Sequence, residues 1–421
     1  MSAAIKRGAI ARKIILYLFL FYVIYTPAIP GVVLLDRNIT IPIITIFMLL
    51  INAAIKRKKE TLVPKSSYVF CVLLTISNIY SLFIYLICNN SFNLMDSRIV
   101  QSNLAICYLV IITTILRYIK DNKLAKTPMD ILYNLAAIQG VIGIFMLMSE
   151  GLHNIAIQLY GGDNIFITTT RIFGISSDYT YATPIYHGLI AAFLLHDTII
   201  KRHELGRKVT SFIKLALILL IVMLNGRTGL VVFAASGAIF VLKYLIESKK
   251  IFKFIKYLAI VSVIFYGLII SLKEISPNTY NFLDNFTKDT YKLVTSNEAD
   301  GNYALLRDSI TFPSGGKIVF GEGIRVYGNK ADELGYTRSD VGYVNDLYMG
   351  GIIYVILLYA SYGYLILKKV SGIDRRLALM VALMLANYKG EAFRAGILVF
   401  GIIFICLACE ETEKEHVKIS S

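Results

Sequence analysis

Charge is scarce in this chain. Asp, Glu, Lys and Arg make up only 17% of its 421 residues, against 56% apolar residues, and mean hydropathy is +0.64. A soluble protein with so large an apolar content needs more surface charge, which argues against an ordinary globular enzyme. Cysteine is scarce too. Cys71, Cys88, Cys107, Cys406 and Cys409 lie in or near apolar runs and none in the one long polar segment, so no structural disulfide is expected there. Cys406 and Cys409 have the spacing of a redox pair but read as buried thiols in the last apolar run. Nucleotide-binding signatures are missing: there is no Gly-rich loop ending in Lys-Ser/Thr and no dinucleotide fingerprint, and Gly321-Glu322-Gly323 is too short to count as either. His153 and His187 are not joined to a carboxylate or cysteine at metal-ligand spacing, so no metal and no cofactor are expected. No internal repeat is obvious, and the inverted-repeat sign of many transporters is therefore missing.

What is present is a series of apolar runs of roughly 17–25 residues, each long enough to cross a hydrocarbon layer of about 30 Å as a helix. They predict an all-α polytopic membrane protein with about twelve transmembrane helices. The spans are placed at 14–34, 39–55, 67–88, 98–117, 130–149, 184–200, 211–225, 228–246, 253–271, 343–367, 375–390 and 394–410. Lys6, Arg7, Arg12 and Lys13 precede the first run, which is longer than a signal h-region and ends without a clear Ala-x-Ala site, so it reads as a retained span. Every second link is strongly basic, from Lys56-Arg57-Lys58-Lys59 to Lys368, Lys369, Arg375 and Arg376. That alternation places both termini in the cytoplasm. It also explains the net charge of +15 as contact with anionic membrane lipids, not with nucleic acid. The expected organisation is nine spans in 1–271, a large outer loop at 272–342, three spans in 343–410 and a tail at 411–421.

Two outer segments stand out, about 150–183 and 272–342. The second holds eight Lys/Arg and ten Asp/Glu with many Gly, Tyr and Asn, a mixture that suggests a folded cap and not a tether. In this topology several cations sit at the outer boundary, where each needs a partner. Arg171 stands in Arg171-Ile172-Phe173-Gly174, Arg227 in Asn225-Gly226-Arg227-Thr228-Gly229-Leu230, and Lys389 and Arg394 in Asn387-Tyr388-Lys389-Gly390-Glu391-Ala392-Phe393-Arg394. The loop adds Arg307-Asp308, Arg325 and the run Arg338-Ser339-Asp340-Val341-Gly342-Tyr343-Val344-Asn345-Asp346. Singly, these residues read as snorkelling cations, surface ion pairs or loop scaffolding. Asp340 reads equally well as a helix cap, and His187, beside Tyr186, as a hydrogen bond within the bundle. Together the arginines point to an anion held at the membrane surface, since guanidinium groups grip phosphate oxygens in a bidentate fork.

These segments, in this order, resemble those of bacterial O-antigen or capsule repeat-unit polymerases of the Wzy type, which are related to O-antigen ligases. Asn225-Gly226-Arg227-Thr228-Gly229-Leu230 is similar to the family's Arg-Thr-Gly segment at the start of a span. Arg307-Asp308, Phe320-Gly321-Glu322-Gly323 and Ser339-Asp340-Val341-Gly342-Tyr343 through Gly350-Gly351 follow its large loop, and Arg171-Ile172-Phe173-Gly174 and Tyr388-Lys389-Gly390 also fit. The loop has no clear His near its closing motif, unlike many ligases. The resemblance implies a GT-C-like architecture in the bacterial inner (cytoplasmic) membrane, with the loop in the periplasm. It implies transfer of a growing glycan from undecaprenyl diphosphate to a new lipid-linked repeat unit, without nucleotide sugar or metal. A chain-length regulator protein is a possible partner.

In that chemistry, fixed cations stabilise the departing diphosphate. Arg171, Arg227, Arg307, Arg325, Lys389 and Arg394 are the candidates. Asp308, Asp340, Glu391 and His187 are candidates for taking the acceptor proton, and Tyr303, Tyr343 and Asn345 for lining a sugar-binding face. No covalent nucleophile is obvious, which suggests a single inverting displacement. The rival readings are a ligase to lipid A core, a transporter of polysaccharide or lipid-linked glycan, and a scaffold.

Overall fold

The protein is described by a computed structural model covering residues 3–26, 32, 36–54, 62–88, 98–125, 127–158, 171–176, 181–200, 205–248, 251–275, 306–333, 335–393 and 396–420, with isolated positions between 277 and 295. It is 84% helical, with no strand among the described residues. Before the polar segment lie α1 (Ala3–Tyr25), α2 (Arg37–Ala54), α3 (Tyr68–Cys88), α4 (Arg98–Asp121), α5 (Pro128–Met148), the short α6 (Glu150–Ala156), α7 (Ala182–Ile200), α8 (Leu205–Asn225), α9 (Arg227–Ser248) and α10 (Ile251–Ile275). Two short helices, α11 (Lys317–Phe320) and α12 (Asn329–Glu333), lie within that segment. The chain then forms α13 (Gly342–Lys369), α14 (Ile373–Lys389) and α15 (Ile397–Ser420).

Among the described residues, eight helices are long and apolar enough to cross a membrane: α1 to α5, α8, α9 and α13. The other four expected segments coincide with α7, α10, α14 and α15. Large apolar side chains face outward along these helices, among them Ile15 at 66%, Phe47 at 63% and Val263 at 70% exposure. Such a surface suits lipid chains as solvent and would be costly in water.

Several helix ends differ from expectation for physical reasons. The first helix starts at Ala3, not at 14, because Lys, Arg and Ala are good helix formers although they lower hydropathy. For the same reason α10 runs through Lys273 and Glu274 into the expected loop, and α15 runs to Ser420 through the expected tail. The sharp start of α5 is a capping box. Thr127 Oγ1 accepts from Asp130 N, Asp130 Oδ2 accepts from Thr127 N, and Pro128 fills the first turn.

The chain divides into two compact units. One comprises Met1–Thr40, Ile115–Phe286 and Gly372–Ala382; the other comprises Ile41–Thr114, Thr287–Ser371 and Leu383–Ser421. In the first, α7 packs against both α8 and α9, and α5 packs on α8. At Gly188 in α7 a Cβ would lie 2.1 Å from Gly229 O of α9, and at Gly229 it would lie 2.2 Å from Pro184 O. The two backbones therefore touch at the level of the first turn of α9, which only glycine permits. In the same unit, Asp374 is buried between His196 Nε2 at 3.0 Å and Lys243 Nζ at 2.8 Å, tying α14 to α7 and α9.

In the second unit, α13 packs on α3, α11 and α15. Its helix is broken at Gly350 and Gly351, the latter at φ +64°. A Cβ at Gly351 would lie 2.2 Å from Val319 O, and one at Gly321 would lie 2.4 Å from Gly350 Cα. The Gly-Gly break thus forms the seat on which residues 319–321 rest. Lys369, fully buried at the end of α13, pairs with Glu410 of α15.

Candidate functional site

In the first unit, the segment 171–176 is held on both sides. Gln139 of α5 clamps Ile175: its Nε2 donates to Ile175 O at 2.5 Å and its Oε1 accepts from Ile175 N at 3.0 Å. Gly174 lies at φ +66°, and a Cβ there would meet Gln139 Oε1 at 2.2 Å. Ile172 N donates to Leu224 O at 3.1 Å, Ser176 and Thr183 share a 2.7 Å hydroxyl bond, and His153 Nε2 lies 3.1 Å from Arg171 O. Phe173 is fully buried among Met146, Met223 and Leu224.

These bonds bring the backbone of Arg171 close to the start of α9, which Arg227 heads. Ile172 follows Arg171 directly, and Leu224, its backbone partner, stands three residues before Arg227. The chain turns at Gly226, and α9 begins at Arg227. Both arginines are half-buried and both make polar contacts. Arg227 heads a helix of 22 residues, whose unpaired N–H groups add partial positive charge to its guanidinium. Asn225, at the break, is fully buried, and neither of its amide atoms has a hydrogen-bond partner among the described residues. His187 is buried one turn into α7, with Nε2 3.0 Å from Tyr25 Oη and Nδ1 2.8 Å from Thr183 O. It bridges α1 and α7, and both of its ring nitrogens are engaged.

In the second unit, the described part of the polar segment is a folded cap on its own helices. Val326, Val341, Val344 and Tyr348 form its core. Arg325 Nη1 donates to Glu391 Oε2 at 2.8 Å, and its guanidinium lies 5.0 Å from the Tyr327 ring. Glu322, 8% exposed, accepts from Lys317 Nζ at 3.0 Å and from Tyr336 Oη at 2.5 Å. That bond to Glu322 pushes the Tyr336 phenol up to about 12 and also raises Lys317. Burial raises Tyr327.

The remaining expected residues divide clearly. Arg307 and Asp308 form an exposed ion pair at 3.1 Å. Asp340 does not cap α13. The N-cap is Val341 with no side-chain cap bond, and Ser339 Oγ accepts from Val341 N. Asp340 lies 4.0 Å from Arg338, and its Oδ1 has no hydrogen-bond partner among the described residues. Asn345 is fully buried and donates to Ser339 O and Val341 O, both at 2.9 Å, so it braces the start of α13 and presents no face to a glycan. Tyr343 Oη donates to Met384 O at 2.9 Å. Lys389 ends α14 half-buried, with polar contacts. Tyr303 and Arg394 lie outside the described residues.

The sequence reading missed one buried cluster. Asp346, fully buried, accepts from Tyr359 Oη at 2.7 Å and from Asn387 Nδ2 at 2.8 Å, and Asn387 Oδ1 accepts from Ala392 N. A carboxylate inside an otherwise apolar helix was the available signal, since such a group is retained only with partners. Comparison with protein-family models, with curated proteins and with solved structures finds no match for this chain.

Proposed function

We propose that the chain is a membrane-embedded glycosyltransferase that polymerises undecaprenyl-diphosphate-linked repeat units into O-antigen or capsule. In this reading the twelve long helices are spans in a GT-C-like arrangement in a bacterial inner membrane. The segment 272–342 faces the periplasm, and both termini face the cytoplasm.

The observation that carries the reading is the pinned segment that brings the backbone of Arg171 to the start of α9, where Arg227 stands. Cleaving a sugar from a lipid diphosphate builds negative charge on the leaving group. Two preorganised guanidinium groups at a helix N-terminus stabilise that charge more in the transition state than before it. They act without reorganisation because residues 171–176 are already fixed by Gln139, Leu224 and Thr183.

The acceptor hydroxyl must lose a proton. Arg307 holds Asp308, Arg325 holds Glu391, and both nitrogens of His187 are engaged inside the bundle. Within the second unit, Asp340 lies 4.0 Å from Arg338.

The test is Arg227→Gln in a strain lacking the native gene, read as a ladder of glycan lengths. The polymerase reading expects loss of the ladder while single repeats still reach the outer surface. Single repeats absent from the outside would overturn it in favour of transport. Ladders that persist on the lipid carrier but no longer reach lipid A core would overturn it in favour of a ligase.

A further inference from the structure

We propose that the groove between α1, α5 and α8 is a binding site for an anionic phospholipid of the leaflet facing the N-terminus. The inference needs only that the chain lies in a membrane, and it is independent of the glycosyltransferase reading.

The groove is made by a contact on one side and a spacer on the other. At Gly140 a Cβ would lie 2.3 Å from Leu217 O, so α5 and α8 meet backbone to backbone and form a floor. On the other side α1 stands off from α5, and Asn134 Nδ2 spans the gap to Tyr17 Oη at 2.6 Å. The cavity left between them measures about 410 Å³. Its polar end is formed by Lys13, Tyr17 and Asn134, and its apolar end by Ile138, Val141 and Leu217. Ile138 and Val141 are 40% and 39% exposed, so the groove opens sideways. From Asn134 to Val141 it runs about 10 Å along α5, the reach of part of one acyl chain.

Lys13 decides which amphiphile fits. Its neighbour Arg12 is occupied, donating to Asn122 Oδ1 at 3.1 Å. Lys13 instead lies over the Tyr17 ring, 5.8 Å from its centroid, and has no carboxylate partner among the described residues. Asp130, one turn before Asn134, caps its own helix, and its charge also reaches Tyr17 at the polar end of the groove. Lys13 stands five residues inside the apolar stretch that begins at Gly8, about 8 Å deep. A lysine stem reaches from there to the head-group level. The groove therefore offers a cation with no carboxylate in contact among the described residues, two hydrogen-bonding groups and an apolar trough, in the order of a phospholipid's own parts. A soluble anion would leave the trough empty, and a neutral lipid would leave Lys13 without its counter-charge.

The chain contains no tryptophan, so one introduced Trp reports its own surroundings. Phe145, 57% exposed and one turn beyond Val141, is replaced in Phe145→Trp. The full chain is placed in phosphatidylcholine vesicles with rising amounts of lipid brominated on its acyl chains, either phosphatidylglycerol or phosphatidylcholine. One lysine near the surface favours the anionic lipid by about fivefold, so half-quenching by brominated phosphatidylglycerol is expected at about one-fifth the amount needed of brominated phosphatidylcholine. Adding Lys13→Gln should bring the two curves together. A reporter at Phe47→Trp, lipid-exposed on α2, should be quenched equally by both. The proposal is overturned if the two lipids quench Phe145→Trp alike, if Lys13→Gln leaves the preference intact, or if Phe47→Trp shows the same preference.

Discussion

The ion pair between Arg325 and Glu391 offers the clearest energetic prediction. The two side chains are 15% and 6% exposed, and their contact is 2.8 Å. Removing one partner of a buried pair costs about 3–5 kcal/mol, because the remaining charge stays desolvated. In Glu391→Ala, Arg325 keeps some solvent and the Tyr327 ring at 5.0 Å. The expected cost is therefore lower, about 2–3 kcal/mol. The double substitution Arg325→Met with Glu391→Met removes both charges and fills the space with apolar atoms. It should be less damaging than either single change, a coupling of more than about 2–3 kcal/mol. Unfolding in mixed micelles, followed by protease cleavage within residues 306–341, measures all the variants on one scale. Strictly additive effects would refute the claim that these groups share one desolvated contact. Glycan ladders give a second readout. If neither charge touches substrate, ladder formation returns as the double variant regains stability. A stable double variant without ladders would show that Arg325 or Glu391 acts on the substrate directly.

Three further outcomes are expected. Gly351→Ala combines a left-handed backbone with a Cβ 2.2 Å from Val319 O, and should cost about 2–4 kcal/mol; proteolysis near residues 317–320 should rise while far-ultraviolet dichroism is unchanged. Gly188→Leu drives α7 from α9 beneath Arg227, and should cost about 2–3 kcal/mol and abolish glycan ladders, with thermal inactivation in detergent reporting the stability loss. Tyr336→Phe removes a hydrogen bond to a buried carboxylate at a partly exposed site, worth about 1 kcal/mol. The folded Tyr336 phenol lies above its ordinary value of 10.0, so its contribution is complete below that pH and is lost as pH rises through about 12. Protease resistance of residues 317–348 should show this alkaline step in the native chain and lack it in Tyr336→Phe.

Apolar run length located the long helices because a membrane span needs little else. The break between α8 and α9 was legible at Asn225-Gly226, where glycine follows an amide-bearing residue. Helix ends were less legible where Lys, Arg and Glu continue a helix, as at Ala3 and beyond Glu410, since hydropathy falls there while helix propensity does not. The short α6 was hidden in a polar stretch, although Ser149 caps it by accepting from Leu152 N. Cations of the site were visible because charge is rare in such a chain. Their partners were not. Gln139 meets Ile175 across 36 residues, Arg325 meets Glu391 across 66, and Asp346 meets Asn387 across 41. No local pattern encodes such pairings. His187 and Asn345 drew attention by their type, but both ring nitrogens of His187 and the amide nitrogen of the buried Asn345 are engaged by internal hydrogen bonds.

The central claim is that Arg171 and Arg227 together hold a departing lipid diphosphate. Its most direct test uses the purified full chain with lipid-linked repeat units as the only substrate and a chelator present. The native chain should extend these units into a ladder, and Arg171→Gln and Arg227→Gln should each slow that extension by about a hundredfold or more while the protein stays folded. A native chain that makes no ladder, or folded variants that extend as fast as the native chain, would contradict the account.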